Sequence, residues 1–497
     1  MKIKFPTAQT ILLIIAVFTA FLTWIIPAGK YDVLGYDKAS DTFTKTGIKN
    51  TVVLKASQQT LDSLHIKIAI EKFTNGDIWK PINIPGTFQF VENKPQGLAA
   101  FIKSPIKGII QAADIIFLVL IIGGLIGIMN YTGAFDAGIA WLAKTLQGRE
   151  YLLIFFVTTL VAIGGTTFGL AEETIAFYPI LIPVFLASGY DAMVPLASIY
   201  IGSSIGTMCS TVNPFSAIIA SNAAGINWTT GITSRFIMLI LGVLICILYI
   251  TRYAQRVKKY PEKSVIFEQK GDIERMFGIT SRNATVTLSA RLRIILVIFV
   301  MCFAVMIYGV SQLDWWFEEM TATFLAGAIL IGFIGRIKEA VFVETFVKGA
   351  SELLGVAIII GIARGVSILM DEGMISDTIL YYASDIAEGA NKGIFANMMM
   401  FIYAGLSFFI PSSSGMAVLT MPIMAPLADT AGVGREVIVD AYQYGMGLFA
   451  FINPTGLILA SLAVVKVGYN KWIQFVLPLL FFLLLFAMAA LTLAAYI

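Results

Sequence analysis

Apolar runs alternate with short polar breaks along most of the chain, and the alternation is disturbed in two corresponding places. A helix crossing a bilayer needs about 20 predominantly apolar residues. Residues 7–27, 108–129, 236–249, 294–311, 321–334, 353–370 and 473–495 read as single crossings. Residues 193–224 and 437–465 are longer than one straight helix needs, and each is interrupted, by GTMCSTVNP and by GMGLFAFINP. Together these predict nine transmembrane helices, two of them broken. Residues 151–164 and 171–186 are too short to cross, as are 394–407 and 416–428. Each pair is therefore expected to form a re-entrant hairpin, with tips at GTTFGL and FFIPSSSG. Residues 134–146, 340–349 and 375–387 read as amphipathic pieces at the interface. Residues 28–107 differ from the rest: they are polar, alternate Thr, Val and Ile at 51–55 and 87–91, and predict a small external insert with strands.

The disturbed stretches share one plan. Pro179 and Pro183 match Pro422 and Pro426, each in a Pro-Ile-x-x-Pro element, and Gly189 and Gly432 follow. Asn213-Pro214 and Asn453-Pro454 then end the two interruptions. The expected fold is an all-α polytopic membrane protein built from two inverted repeats with two opposed hairpins. The segments are a first helix (1–27), the insert (28–107) and a repeat-one core (108–250) with hairpin 151–188 and broken helix 193–224. A linker (251–293) and a connecting helix (294–311) lead to repeat two (321–497), with hairpin 394–431 and broken helix 437–465.

Composition supports this reading. The chain is 58% hydrophobic and 13% charged, against roughly 25% charged residues in a soluble domain. A net charge of +3 gives no reason to expect a nucleic-acid partner. The charge is unevenly placed: Arg252, Arg256, Lys258, Lys259, Lys263, Lys270, Arg275, Arg282, Arg291 and Arg293 crowd one connection. The positive-inside rule makes that connection cytoplasmic, and Lys2 and Lys4 place the N-terminus there too, leaving the C-terminus outside. Cys209, Cys246 and Cys302 lie in apolar runs without ligand spacing and are expected to be small buried hydrophobes. The lone histidine, His65, falls in the insert and reads as a surface residue.

Four groups of residues carry the candidate chemistry. Glu172 and Glu173 follow the first tip, where an acid costs about 2.5–3.5 kcal/mol unless it is paired or reaches water. They are expected to bind a substrate ammonium, a cation or a proton; being adjacent, they point in different directions. Ser412, Ser413 and Ser414 open a helix at the second tip, where N–H groups attract a carboxylate and serine also serves as a cap. Each Asn-Pro break frees carbonyls one turn earlier. With Gly165, Thr166, Thr167, Thr207 and Ser210, the first break could cage a cation such as Na⁺, and Ser412, Ser413, Asn453 and Thr455 could form a second cage. Asn213, Thr167, Asn453 and Thr455 would also face the substrate. Arg364 is placed either to snorkel or to meet a carboxylate or one of the acids. No phosphate loop, metal-ligand cluster or nucleophile constellation is present in the sequence, which argues against an enzyme, and no cofactor is expected.

The stretches GGTTFGLAEETIAF, SGYD, STVNPFS, PSSSGMAVLTMPIMAPLAD and FINPT resemble the YfcC-like branch of the DcuC family of bacterial carriers. The similarity covers most of the chain, including the insert. It implies a bacterial inner-membrane carrier with a scaffold that forms a homodimer and a transport domain that moves as a unit. Substrates implied are four-carbon dicarboxylates, short carboxylates or amino acids, including basic amino acids by exchange. Relatives often carry Ser-Asn-Thr at the tips, which this chain lacks. The expected function is secondary active transport of a small carboxylate-bearing organic ion, an amino acid ahead of a dicarboxylate. Coupling would be to Na⁺ or H⁺ or by exchange, and an ion channel is the weaker alternative.

Overall fold

The computed structural model describes residues 6–48, 50–135, 137–138, 141, 149–277, 289–313, 315–385 and 391–497. Lys2, Lys4, Arg282 and most of the amphipathic piece 134–146 lie outside these residues.

Helix α1 (Ala8–Ile25) starts where the apolar run starts, capped by the Thr7 hydroxyl accepting from the Thr10 N–H. The insert then forms strands β1 (Gly29–Lys30), β2 (Val33–Asp37), β3 (Thr42–Thr46), β4 (Thr51–Lys55), β5 (Ile82–Asn83) and β6 (Gln89–Phe90). β1 pairs with β6, and the other four make an antiparallel sheet in the order β4-β3-β2-β5. Period-two alternation buries Leu34 and Phe43 on the inner face, where Phe43 meets Phe73 edge-on at 5.1 Å.

The remaining chain is helical: α2 (Leu98–Gln111), α3 (Ala113–Tyr131), α4 (Tyr151–Phe168), a 3-10 turn (Glu172–Phe177), α5 (Tyr178–Ala187) and α6 (Met193–Met208). A π-helical turn (Pro214–Ile218), α7 (Ile219–Ala223) and α8 (Ile232–Lys259) complete the first half. After α9 (Ala290–Gln312) come α10 (Phe317–Gly335), α11 (Glu339–Glu352), α12 (Leu354–Gly373) and α13 (Ser376–Asp385). The chain ends with α14 (Lys392–Phe409), α15 (Ser413–Ala431), α16 (Arg435–Ala450), α17 (Ile458–Val465) and α18 (Tyr469–Ala494). α9 stands between the first half of the chain, α1 to α8, and the second, α10 to α18.

Several helices of the first half pack antiparallel on helices of the second. α2 packs on α12 and α3 on α11, with Gly108 against Gly361, Gly123 against Gly349 and Gly127 against Thr345. α6 crosses α16 in the same sense, pairing Tyr200 with Ala450, Met208 with Gly447 and Ser210 with Gln443. The helices fall into two packed sets. One holds α1 to α3 and α10 to α12; the other holds α4 to α8 and α14 to α18.

Small residues let these helices touch. A Cβ on Gly206 would lie 2.3 Å from the Ala162 carbonyl oxygen, and one on Gly445 would lie 2.2 Å from that of Met400. Gly405, in the same α14 that Gly445 meets, has nothing within 4 Å. Gly445→Val is therefore expected to abolish recovery of monodisperse protein in detergent, whereas Gly405→Ala leaves elution and yield unchanged. Comparable behaviour of the two variants would refute the close contact.

The structure corrects several expectations. Nine helices among the described residues are long and apolar enough to cross a membrane, but they are not the nine predicted. The first hairpin arms α4 and α14 qualify, while α6 and α16, at 16 residues each, fall short. α4 continues through Gly164-Gly165-Thr166-Thr167, so the first tip starts at Gly169, whose φ of +75° suits a residue without Cβ. The insert ends ten residues earlier than expected, because α2 begins at Leu98 and carries Pro105 internally. α8 runs to Lys259, so the basic linker begins inside a helix. The expected strand at 87–91 is only two residues long. Residues 340–349 belong to α11, which meets α12 at Leu353.

Candidate functional site

The two helix breaks are built alike from their sequences upward. Proline at 214 and 454 has no N–H, so the chain leaves the helix before it and an Asn side chain takes up the loose ends. Asn213 Oδ1 accepts the Phe215 N–H at 2.8 Å, and its Nδ2 donates to the Gly165 carbonyl at 3.1 Å. Asn453 Oδ1 accepts the Thr455 N–H at 3.0 Å, and its Nδ2 donates to the Ser407 carbonyl at 3.0 Å. Each asparagine thereby caps the turn after its break and fastens the break to the first arm of the hairpin in its own half. Thr166 reinforces the first fastening: its hydroxyl accepts the Thr211 N–H at 2.9 Å, and its carbonyl accepts the Val212 N–H at 3.2 Å. Thr455 reinforces the second, with its hydroxyl 3.2 Å from the Phe408 carbonyl.

The tips are held by side chains from the broken helices. Ser203 of α6 donates to the Leu170 carbonyl at tip one. Tyr442 of α16 donates to the Ser413 carbonyl at tip two, 2.8 Å away. The second arms then cross over: α5 and the 3-10 turn pack on α17, and α15 packs on α7 and the π-helical turn. Each hairpin is clamped between the breaks of both halves. Among the described residues no hydrogen bond or ion pair joins residues 164–173 directly to residues 410–415; the breaks bridge the tips.

The structure sorts the candidate residues. Gly165, Thr166 and Asn213 come together with Thr207, whose backbone nitrogen would sit 3.1 Å from a Cβ on Gly165. Thr167 does not join them, since its hydroxyl donates back to the Ile163 carbonyl at 2.6 Å. Ser412 is the cap of α15, accepting the Gly415 N–H at 3.2 Å, so that helix opens at Ser413 and not near Gly415. Ser414 takes a partner from elsewhere: Lys80 of the insert donates to its hydroxyl at 2.7 Å. The two acids are also told apart. Glu173 Oε2 accepts the Ala171 N–H at 3.1 Å and closes the turn, whereas Glu172 lies within electrostatic reach of Asp114 and Arg364 in the other helix set. Arg364 in turn donates to Gln111 at 3.1 Å.

Several residues that shape this region were not singled out in the sequence. Gln443 donates to the Ser210 carbonyl at 3.3 Å across the α6–α16 crossing, while Gln443 Oε1 and Ser210 Oγ are buried without a partner among the described residues. Arg235 and Asp440 form a fully buried ion pair, Nε to Oδ1 2.6 Å, that ties α8 to α16. The signal for the latter was present: Asp440 is the one acid within the apolar stretch VIVDAYQYG. The three cysteines are buried free thiols, as expected.

What the arrangement offers is a set of polar groups (acids, hydroxyls, amides and main-chain carbonyls at the breaks) enclosed by helices that are otherwise apolar. Comparison with known proteins places it. A protein from Haemophilus influenzae described as uncharacterized is 44% identical over 486 residues, 97% of this chain and 95% of its own. The Escherichia coli (strain K12) protein named "Putative basic amino acid antiporter YfcC" is 31% identical, covering 94% of this chain and 92% of its own. Among solved structures, the Alcanivorax borkumensis YdaH transporter is 13% identical with a TM-score of 0.39, covering 98% of both chains. Neisseria gonorrhoeae MtrF, from a class described as antimetabolite efflux pumps, is 18% identical with a TM-score of 0.40, covering 99% of this chain and 95% of its own. The family model described as "DcuC: C4-dicarboxylate anaerobic carrier" matches residues 5–496; this chain belongs to the DcuC family and is a multi-pass membrane carrier, not an enzyme.

Proposed function

We propose that the protein is a secondary active transporter of a small carboxylate-bearing organic ion, an amino acid ahead of a dicarboxylate. It would work by exchange or by coupling to Na⁺ or H⁺. The observation that carries this reading is the matched pair of asparagine-held breaks, buried and antiparallel, each fastened to its hairpin through the same two contacts. Broken helices of this kind bring main-chain groups to the bilayer midplane, where repeats of opposite direction hold a substrate. Hairpins entering from opposite faces would expose it to one side at a time. Glu172 or Glu173 would take an ammonium group or coupling cation, and the α15 N-terminus a carboxylate.

Supporting the amino acid is the name of the 31% identical relative, a basic amino acid antiporter. A second reading, a four-carbon dicarboxylate, is favoured by the cationic Lys80 and Arg364 near this region and by the family description. The two separate in proteoliposomes loaded with unlabelled arginine, ornithine or succinate. Trans-stimulated uptake of the labelled counterpart is expected for the amino acids; stimulation by succinate alone would establish the second reading. Current that fails to saturate, without counterflow, would overturn the carrier mechanism.

A further inference from the structure

The insert is more than a cap on an external loop. Its segment 66–82 lies along α15. Ile66, Lys67 and Ile68 line a shallow recess with Met421, Pro422, Ala425 and Pro426, Lys67 Nζ reaches Asp429 at 3.3 Å, and β5 packs on the same helix. At the other end of α15, Lys80 reaches Ser414, at the opening of the helix. The insert also grips the opposite helix set, where the Gly29 N–H donates to the Met374 carbonyl at the end of α12, 2.9 Å away. Lys80 is thus carried to the second hairpin tip by a segment that packs along α15 and is tied at its other end to α12.

Lys80 is unusual there. It is half-buried over the Trp79 ring, 4.5 Å from the centroid, and among the described residues it makes no ion pair. Arg364 stands close enough to repel it and, among the same residues, also makes no ion pair; its guanidinium bonds the Gln111 amide. Burial, and then the Arg364 charge, push the Lys80 ammonium below the ordinary lysine range. Carboxylates of Glu172 and Asp371 act on Arg364, but among the described residues none is bonded to Lys80, which leaves its ammonium open to an anion near the α15 N-terminus.

We propose that Lys80, together with Arg364 and the Ser414 hydroxyl, receives the carboxylate of the transported substrate, so that the external insert supplies a specificity-determining residue. This rests on the reading of the protein as a carrier of carboxylate-bearing ions. A substrate held there would point its remaining group toward the first tip, where Glu172 lies within reach of the same Arg364. Because the insert touches both helix sets, movement of the second hairpin away from the insert would also withdraw Lys80 from Ser414. Release would then accompany opening.

The test is the KM for whichever labelled probe (arginine, ornithine or succinate) the wild-type protein exchanges in proteoliposomes. Lys80→Ala and Lys80→Gln are expected to raise KM by about tenfold or more, the scale of one charge-assisted hydrogen bond. Lys80→Arg should restore most of it, and melting temperature should stay within a few degrees. Unchanged KM in both variants, or a fall in maximal rate alone, would overturn the assignment. Failure of the wild type to exchange any of the three probes would instead overturn the carrier reading itself.

Discussion

Glu172→Gln is expected to cut exchange of the preferred substrate by about tenfold or more, with yield and elution in detergent unchanged. That scale is the loss of one hydrogen bond to a charged partner, about 1.5–3 kcal/mol, with tenfold per 1.4 kcal/mol. Gln keeps the shape and removes the charge, so packing around the 3-10 turn has no reason to fail. Glu173→Gln should do less. The atom that Glu173 uses for the turn accepts the Ala171 N–H, and an amide oxygen can do the same. The ranking comes from the partners: Glu172 lies within electrostatic reach of Arg364 and Asp114 in the other helix set, and Glu173 bonds the Ala171 N–H of its own turn. Normal counterflow by both variants would remove the acids from the mechanism.

The second large effect concerns stability. Asp440→Ala leaves the Arg235 guanidinium buried without its counter-charge, and losing one partner of a buried pair costs about 3–5 kcal/mol. Arg235 is 0% exposed and Asp440 2%. The Ser234 hydroxyl donates to Asp440 and the Trp228 carbonyl accepts from Arg235, but neither carries a charge that could replace the carboxylate. The pair Arg435–Asp429 is a useful contrast. Its Nη2–Oδ2 distance is equally short, 2.6 Å, but the Asp429 side chain is 39% exposed. An exposed pair contributes about 0–1 kcal/mol. Thermal unfolding in detergent should therefore show a large drop in Tm for Asp440→Ala and a small one for Asp429→Ala. Equal drops would mean that burial does not set the difference.

Much of this was readable from one dimension. The apolar runs located most helices, the duplicated Pro-Ile-x-x-Pro elements fall in α5 and α15, the Asn-Pro elements fall at both helix breaks, and the polar, alternating composition marked the insert. These features are local: proline removes a donor wherever it stands, and a helix needs a set number of apolar residues to cross a membrane. The Gly164-Gly165-Thr166-Thr167 stretch shows where local reading stops. It has the composition of a turn, but it remains helical because Gly165 lies against the Ser203 carbonyl and its missing Cβ is what lets α4 approach α6. Propensity favoured the turn by about 1 kcal/mol per glycine; packing against a neighbouring backbone outweighed it.

The chain by itself determined its solvent, the class of its fold, the doubled plan and the kinds of groups at the breaks, since each depends on residue type and spacing along the strand of sequence. Which of two adjacent glutamates closes its own turn, which serine is a cap and which receives a lysine, and which buried arginine is neutralised were decided only in three dimensions. The reason is distance: Lys80 meets Ser414 across 334 positions, and Arg235 meets Asp440 across 205. No periodicity in the sequence encodes a contact between residues so far apart, and only the packing of one helix against another brings them within a few ångströms.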